Sequence, residues 1–279
     1  MNYTTLSSRV PNTRVTTSLG LPDDIGLAPA NPQGRDVIDS DGTRPKLLSC
    51  RNRILISTFN TRTLLHPPSR LNELVLNAKA QNIDAISIQE HRFFHPDTEL
   101  EYHHIEDYQL ITSSCWKNSV NASVGGVGLL LSPKAMENLS NIDKIWSRII
   151  IANFEGNPKS AVIACYSPIN TSSDDDINDF YSGLRSVIEN VPSHNFLTVP
   201  GDFNAQLGPN DAKFTFHTET NRNGEFLVDL MEEFNLCPAN CKFMKSNNKL
   251  WTIEYPNGKR APILLFLASD LITVLWLPM

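Results

Sequence analysis

Residues 200–206 read Pro-Gly-Asp-Phe-Asn-Ala-Gln and follow the apolar run Phe196–Val199. Asp202 and Asn204 therefore leave a buried strand two residues apart. A plain turn explains them, because Pro, Gly, Asp and Asn all suit tight backbone torsions. A site that cleaves phosphate esters explains them as well. Polar residues close other apolar runs too. Asn60 follows Ile54–Phe59, Glu90 follows Ile83–Ile88 within "SIQEHR", and Tyr166 ends the run in "AVIACYSP". Glu90 can ligate a hard divalent ion, Asp202 can act as a base, and Asn60, Asn204 and Tyr166 can hold phosphate oxygens. Each has a plainer reading alone: Asn60 and Asn204 as turn formers, Glu90 as a loop acid, Tyr166 as a half-buried strand residue. A serine or cysteine hydrolase is not indicated, since there is no GxSxG and no Cys–His pair at a suggestive position.

These residues act together only if their strands end at one edge. Ile54–Phe59 and Ile83–Ile88 read as strands, with Leu71, Leu74, Val75 and Ala78 at helical spacing between them. Tyr108–Thr112 and Val124–Leu131 read as a pair, the second opened by Gly125-Gly126. Trp146–Phe154 and Ala161–Tyr166 form another, joined at Glu155-Gly-Asn-Pro. A helix follows, capped by Ser173, with Asp174 to Asp176 at its positive end and Ile177, Phe180, Tyr181, Leu184 and Ile188 on one face. The three aspartates are helix-start residues in this reading, not ligands. After the strand Phe196–Val199, a third helix spans about Gly224 to Phe234, capped by Asn223. Consecutive strands mixed with strand–helix units specify an α/β protein with mixed sheets, not a doubly wound parallel one. In such proteins strand ends at a common edge commonly hold the site.

The chain has 279 residues, 41% of them hydrophobic and 19% charged, enough for a sizeable core. A formal net charge of −6 argues against strong nonspecific DNA binding, though a local basic groove remains compatible with it. Cys50, Cys115, Cys165, Cys237 and Cys241 are odd in number and form no CxxC, which suits a reduced intracellular chain without a signal peptide. Residues 1–50 are rich in Ser, Thr, Pro, Gly and Asp, lack apolar periodicity, and read as a disordered leader.

In order, "TFNTRTL", "SIQEHR", "GGVGLLLS", "CYSPIN", "PGDFNAQLG", "NRNGEFLVDLMEEFNL" and "LWTIEYPNGKR" resemble the endonuclease/exonuclease/phosphatase superfamily. The set is most similar to the apurinic-type endonuclease domain of non-LTR, RTE-like retrotransposons. The resemblance covers about residues 53–262 of the chain, flanked by the leader 1–50 and an apolar tail 263–279. It implies a four-layer α/β sandwich, with two mixed sheets face to face and helices outside. It implies that Glu90 binds Mg²⁺ or Mn²⁺ and that Asn60 sits beside the metal and orients Glu90. Asp202 becomes the base that prepares a water, and Asn204 and Tyr166 bind the scissile phosphate. Asn170 stands one residue later than the family's usual Asn. Arg62 and Arg92 are candidates for the DNA backbone, or solvated loop charges. The implied substrate is DNA, nicked to leave a 3′-hydroxyl that primes reverse transcription. The implied partner is a reverse transcriptase domain of the parent element, and the implied location is the nucleus.

The pattern then departs. The family continues after "PNGKR" with a Gln-Ile-Asp-type strand and ends in Ser-Asp-His. Here Pro262 replaces the Gln and Leu264 the Asp, and no histidine follows His217. Asp270 comes too early to serve. These departures lead us to expect a sandwich missing its final strands, a truncated or frameshifted copy or a faulty gene model, and impaired or absent activity. Two alternatives stand beside this reading: a catalytically inactive remnant that binds nucleic acid or protein, and another phosphatase or exonuclease branch of the superfamily. The tail Ile263–Pro278 is short for a membrane span and carries Asp270, so a replaced core strand or out-of-family residues are expected ahead of a tail anchor.

Overall fold

In a computed structural model, residues 46–49, 52–67, 69–96 and 99–244 are described, with the backbone of 253–254, 260–261 and 264–269 and the side chain of Leu267. The strands and helices run in the order β1 (Ile56–Asn60), α1 (Ser69–Ala80), β2 (Ala85–Gln89), β3 (Leu100–Ile105), β4 (Tyr108–Ser113), β5 (Trp116–Lys117) and β6 (Ser123–Val124). Next come β7 (Val127–Leu131), α2 (Pro133–Glu137), β8 (Leu139–Trp146), β9 (Ile149–Phe154), β10 (Ser160–Tyr166), α3 (Asp174–Glu189) and β11 (Phe196–Asp202). The described chain closes with α4 (Arg222–Phe234), β12 (Leu236–Pro238), β13 (Ile253–Glu254), β14 (Arg260–Ala261) and β15 (Leu264–Ser269).

One sheet has the order β1-β2-β7-β4-β3 and the other β12-β15-β11-β10-β9-β8. Each contains one parallel pair, β1 with β2 and β10 with β11, among antiparallel neighbours. Side-chain alternation builds the layers. In β7, Val127, Leu129 and Leu131 meet Ile150, Ala152, Phe154, Val162 and Ala164 of the other sheet, forming the core between sheets. The opposite faces pack on helices. Ile86, Ile88 and Leu130 cover Leu74, Val75 and Ala78 of α1. Ile149, Ile163 and Cys165 join Phe180, Tyr181 and Leu184 of α3 and Leu227 and Leu230 of α4. This is the four-layer sandwich with two mixed sheets. Each large apolar side chain buried on α3 contributes roughly 1.5–3 kcal/mol, so the helix is held by its face. Ser173 caps it, its Oγ accepting from Asp176 N.

Several boundaries differ from expectation. β3 and β8 were not foreseen, because both are only partly buried and mix apolar with polar residues without clean alternation. α4 begins at Arg222, and its cap is Asn221, whose Oδ1 accepts from Gly224 N. Asn223 is buried instead, its Nδ2 donating to the carbonyl oxygens of Pro168 and Phe203. Most of the expected leader, residues 1–45, lies outside the described residues. Its last part packs: Leu47 is fully buried between the sheets, so the folded unit begins before residue 51. In the apolar tail, β15 pairs antiparallel with β11 and β12, with Leu264 opposite Asp202 and Leu267 buried. Pro262, Asp270 and most of "LWTIEYPNGKR" lie outside the described residues. No described helix is long and apolar enough to cross a membrane.

Candidate active site

The parallel pairs decide where the polar residues meet. Asn60 and Gln89 are register partners at the ends of β1 and β2, and Tyr166 and Asp202 are partners at the ends of β10 and β11. The two sheets are locked beside this edge by buried polar groups. Ser87 Oγ donates to Pro200 O at 2.8 Å, and Gln89 Nε2 donates to Ser87 Oγ at 2.7 Å. Beyond the strands the chain turns through left-handed torsions at Arg62, Glu90, Arg92 and Asn204, with φ of 57°, 57°, 65° and 48°. Such torsions are uncommon for non-glycine residues and cluster where the surroundings enforce them.

Two glycines hold one of these turns. Glu90 N donates to Gly126 O at 2.9 Å and Arg92 N to Gly125 O at 3.1 Å. Both glycines have positive φ. A Cβ on Gly126 would lie 2.5 Å from His91 Nε2, and one on Gly125 would lie 2.0 Å from the Trp116 ring. The "GGVG" stretch is thus a fitted support for Glu90. His91 is fully buried, and burial lowers its pKa to about 3, so it stays neutral.

Four of the predicted residues form one hydrogen-bonded cluster. Asn60 Nδ2 donates to Glu90 Oε1 and to Asp202 Oδ2, both at 2.9 Å. Tyr166 Oη donates to Glu90 Oε1 at 3.1 Å. Asn204 adjoins them through its backbone N, which donates to Asp202 Oδ1 at 3.0 Å, while its Nδ2 donates to Ser167 O. Arg92 joins at the rim, Nη2 lying 3.3 Å from Glu90 Oε2, and its Nε is buried without a partner. The Arg62 side chain is exposed; only its backbone N takes part, donating to Asn60 Oδ1. Asn170 lies outside the cluster and fastens the loop after β10 to α4, its Oδ1 accepting from Asn223 N at 3.1 Å.

Asp202 is 2% exposed. Burial and, to a lesser degree, the nearby Glu90 charge raise its pKa to about 6, against the lowering effect of donors from Asn60 and Asn204. The Tyr166 phenol is pushed well up, first by burial and then by the Glu90 and Asp202 charges, so it remains a donor.

Asn60 turns its NH₂ toward both carboxylates, which suits an orienting group and not an oxygen ligand. Glu90 and Asp202 supply carboxylate oxygens of the kind Mg²⁺ and Mn²⁺ accept, and Mg²⁺ is commonly held by one or two carboxylates plus water. Among the described residues no group of three or more His, Cys, Asp or Glu side chains is arranged as a metal site. The acidic pair fits a Mg²⁺ site whose remaining ligands are water.

Sequence reasoning missed a stack beside the cluster. The Arg148 guanidinium lies 4.1 Å from the Trp116 ring centroid and 5.6 Å from that of Tyr166, and Nη1 donates to Tyr166 O. Burial lowers the pKa of Arg148. Arg148 is far from the motifs in sequence, and Trp116 sits on a two-residue strand without periodicity. The buried Ser87 and Gln89 were legible in principle, since they alternate on one side of an otherwise apolar strand.

No protein-family model matches the chain. It is 24% identical over 233 residues to craniofacial development protein 2 of Bos taurus, covering 81% of this chain and 38% of that protein. The chain thus spans well under half of that curated relative. Its fold is similar to an AP endonuclease from Archaeoglobus fulgidus, with a TM-score of 0.57, 17% identity, and 78% and 87% of the two chains covered. It is also similar to the 3′ phosphatase NExo from Neisseria bound to product DNA hairpin, with a TM-score of 0.55, 16% identity and the same coverages. Such structural neighbours have the endonuclease/exonuclease/phosphatase fold, and the four layers seen here match it.

Proposed function

We propose that this chain is a divalent-metal-dependent phosphodiester hydrolase, a DNA-nicking endonuclease domain of the retrotransposon type. One observation carries the reading: Asn60, Glu90, Tyr166 and Asp202 arrive from four strands of two sheets and form one network around two carboxylates. Asp202, with a pKa of about 6, is poised to take a proton from an attacking water near neutral pH. Asn60 holds Asp202 and Glu90 in register for that step. Glu90 would hold Mg²⁺ or Mn²⁺, with Asp202 alongside. When bound, the metal would polarise the phosphodiester and stabilise the leaving 3′-oxygen. Tyr166 and Asn204 would donate to the phosphate oxygens, and the unpartnered Arg92 Nε is a further donor beside them.

DNA is the favoured substrate because solved structures of similar fold include AP endonucleases and an enzyme bound to a product DNA hairpin. The retrotransposon assignment, its reverse transcriptase partner and a nuclear location rest on the ordered sequence motifs alone. A second reading, a DNA-binding remnant without activity, is favoured by one position. Leu264 stands in register with Asp202 where the family pattern carries an acid.

The test is nicking of supercoiled plasmid by the purified chain with Mg²⁺, beside Glu90→Ala and Asp202→Ala. Nicking that both substitutions abolish supports the enzyme. DNA binding without nicking supports the remnant. Absence of both activities overturns the assignment of the cluster.

A further inference from the structure

We propose that the end of the molecule away from the acidic cluster holds a second site, for a small organic cation on an apolar stem. A cavity of about 500 Å³ lies where β8, β9 and the start of β10 meet the end of α3. Ile151, Phe154, Val187 and Val191 form its apolar lining. Two residues lining it, Ser160 and Asn195, carry anomalous polar atoms. Ser160 is 1% exposed and its Oγ has no hydrogen-bond partner, and Asn195 Oδ1 is likewise buried and unpartnered. Buried polar atoms are normally satisfied, so both are spare acceptors that a side-chain rotation would turn toward a ligand in the cavity.

The charge around them selects the ligand's sign. α3 spans 16 residues, carries three aspartates in its first turn and has no basic residue in its last, so the negative end of its dipole faces this region uncompensated. Asp143 on the rim accepts from Asn141 and pairs with no cation among the described residues. Lys159 is the one basic residue lining the cavity among the described residues, and Glu155 engages it at 2.8 Å. An acceptor-rich, net negative cavity with an apolar lining suits a protonated alkylamine. Its N–H groups would bond Asn195 Oδ1 and Ser160 Oγ once these side chains rotate toward the cavity, and its methylenes would lie on the apolar side chains. A free polyamine and the lysine side chain of another protein present this same chemistry.

The site is tested on the full chain without reference to nuclease activity, so its failure and that of the proposed function are separable. Butylammonium, spermidine and α-N-acetyl-lysine methylamide are titrated at matched ionic strength into the ¹⁵N-labelled chain, beside neutral butanol. Saturable amide shifts at residues 140–160 and 186–196 are expected for the ammonium probes and not for butanol. Ser160→Ala should weaken binding roughly threefold to tenfold. It should leave the Tm of the ligand-free protein unchanged or raised, because the hydroxyl it removes is unsatisfied. Asp143→Asn, on the exposed rim, should weaken binding about twofold to fivefold. Tighter binding of spermidine supports the site with a free ligand as its occupant, and tighter binding of the lysine amide supports a protein partner. No saturable shift, an equal response to butanol, or unchanged affinity in both variants overturns the proposal and leaves a water-filled cavity.

Discussion

Strands β10 and β11 run side by side, and their two ends treat buried polar groups in opposite ways. At one end Tyr166 pairs with Asp202; at the other Ser160 pairs with Phe196. Asp202 is buried, yet both its oxygens accept hydrogen bonds, from Asn60 and from Asn204 N. Ser160 Oγ and Asn195 Oδ1 are buried and accept none. A fully bonded carboxylate is held in one geometry, which is what proton transfer requires. Unbonded acceptors beside a cavity are groups that a ligand can satisfy. One pair of strands therefore supplies a fixed centre for chemistry and, at its other end, an unfinished one for binding.

The largest expected effect separates the ends directly. Asp202→Ala should lower the rate of plasmid nicking by roughly 10²–10⁴, the usual worth of a positioned base. Ser160→Ala should leave it within about twofold, because the length of a strand, roughly 20 Å, separates the two ends. Initial rates on one plasmid preparation decide the matter. If the two substitutions reduced nicking alike, the rate loss would be a folding effect and the contrast between the ends would collapse.

The next effect is on stability. The Asp202 pKa is raised from 3.8 to about 6, mainly by burial. The folded state therefore binds this proton more tightly than the unfolded state. The neutral form's stabilising contribution is complete below pH 3.8 and is lost as pH rises through about 6. Asp202→Asn removes that dependence. In the presence of chelator it should be more stable than the parent by up to roughly 3 kcal/mol at pH 8, with the advantage vanishing near pH 4. Urea unfolding at the two pH values measures this. An advantage of equal size at both would mean that burial of the charge is not the cause.

A smaller effect sharpens the role of the phenol. Tyr166→Phe keeps the ring against Trp116, 6.3 Å away, and removes only the bond to Glu90 Oε1. Nicking should fall about tenfold or somewhat more, as for a hydrogen bond to a charged group, with Tm little changed. A large fall in Tm with unchanged nicking would make Tyr166 a strut and not a phosphate contact.

Much of this arrangement was legible because each motif stands at the end of a buried strand. An apolar run fixes where a strand stops, and parallel pairing then brings the stops together: Asn60 with Gln89, Tyr166 with Asp202. α3 was legible for similar reasons, its face and its Ser173 cap both being local signals. Harder to read were features built from distant pairings. The stack of Arg148 on Trp116 joins residues from a strand start and a short hairpin. Leu47 packs between the sheets from a stretch of leader-like composition, because one apolar residue carries no periodicity. β15 reads as a generic apolar run, and only its register opposite β11 shows that it lies beside Asp202 in the sheet.

The cap of α4 tests the finest of these distinctions. Asn221 and Asn223 are both suitable caps by residue type, and spacing alone does not separate them. In the fold Asn221 Oδ1 accepts from Gly224 N at 2.8 Å and from Gln206 N at 2.9 Å, and its Nδ2 donates to Asn204 O at 3.2 Å. Asn221→Ala should cost about 1 kcal/mol as a lost cap, lowering Tm by roughly 2–4 °C. Asn221→Asp keeps the acceptor and should restore most of that stability. It cannot restore the grip on Asn204, whose backbone N holds Asp202 Oδ1. Nicking by Asn221→Asp should therefore remain a few-fold low although its Tm is close to normal, a small effect that reaches the fixed end and not the unfinished one. Should Asn221→Ala leave Tm unchanged, the cap would belong to Asn223 after all, and this link between α4 and the base would be gone.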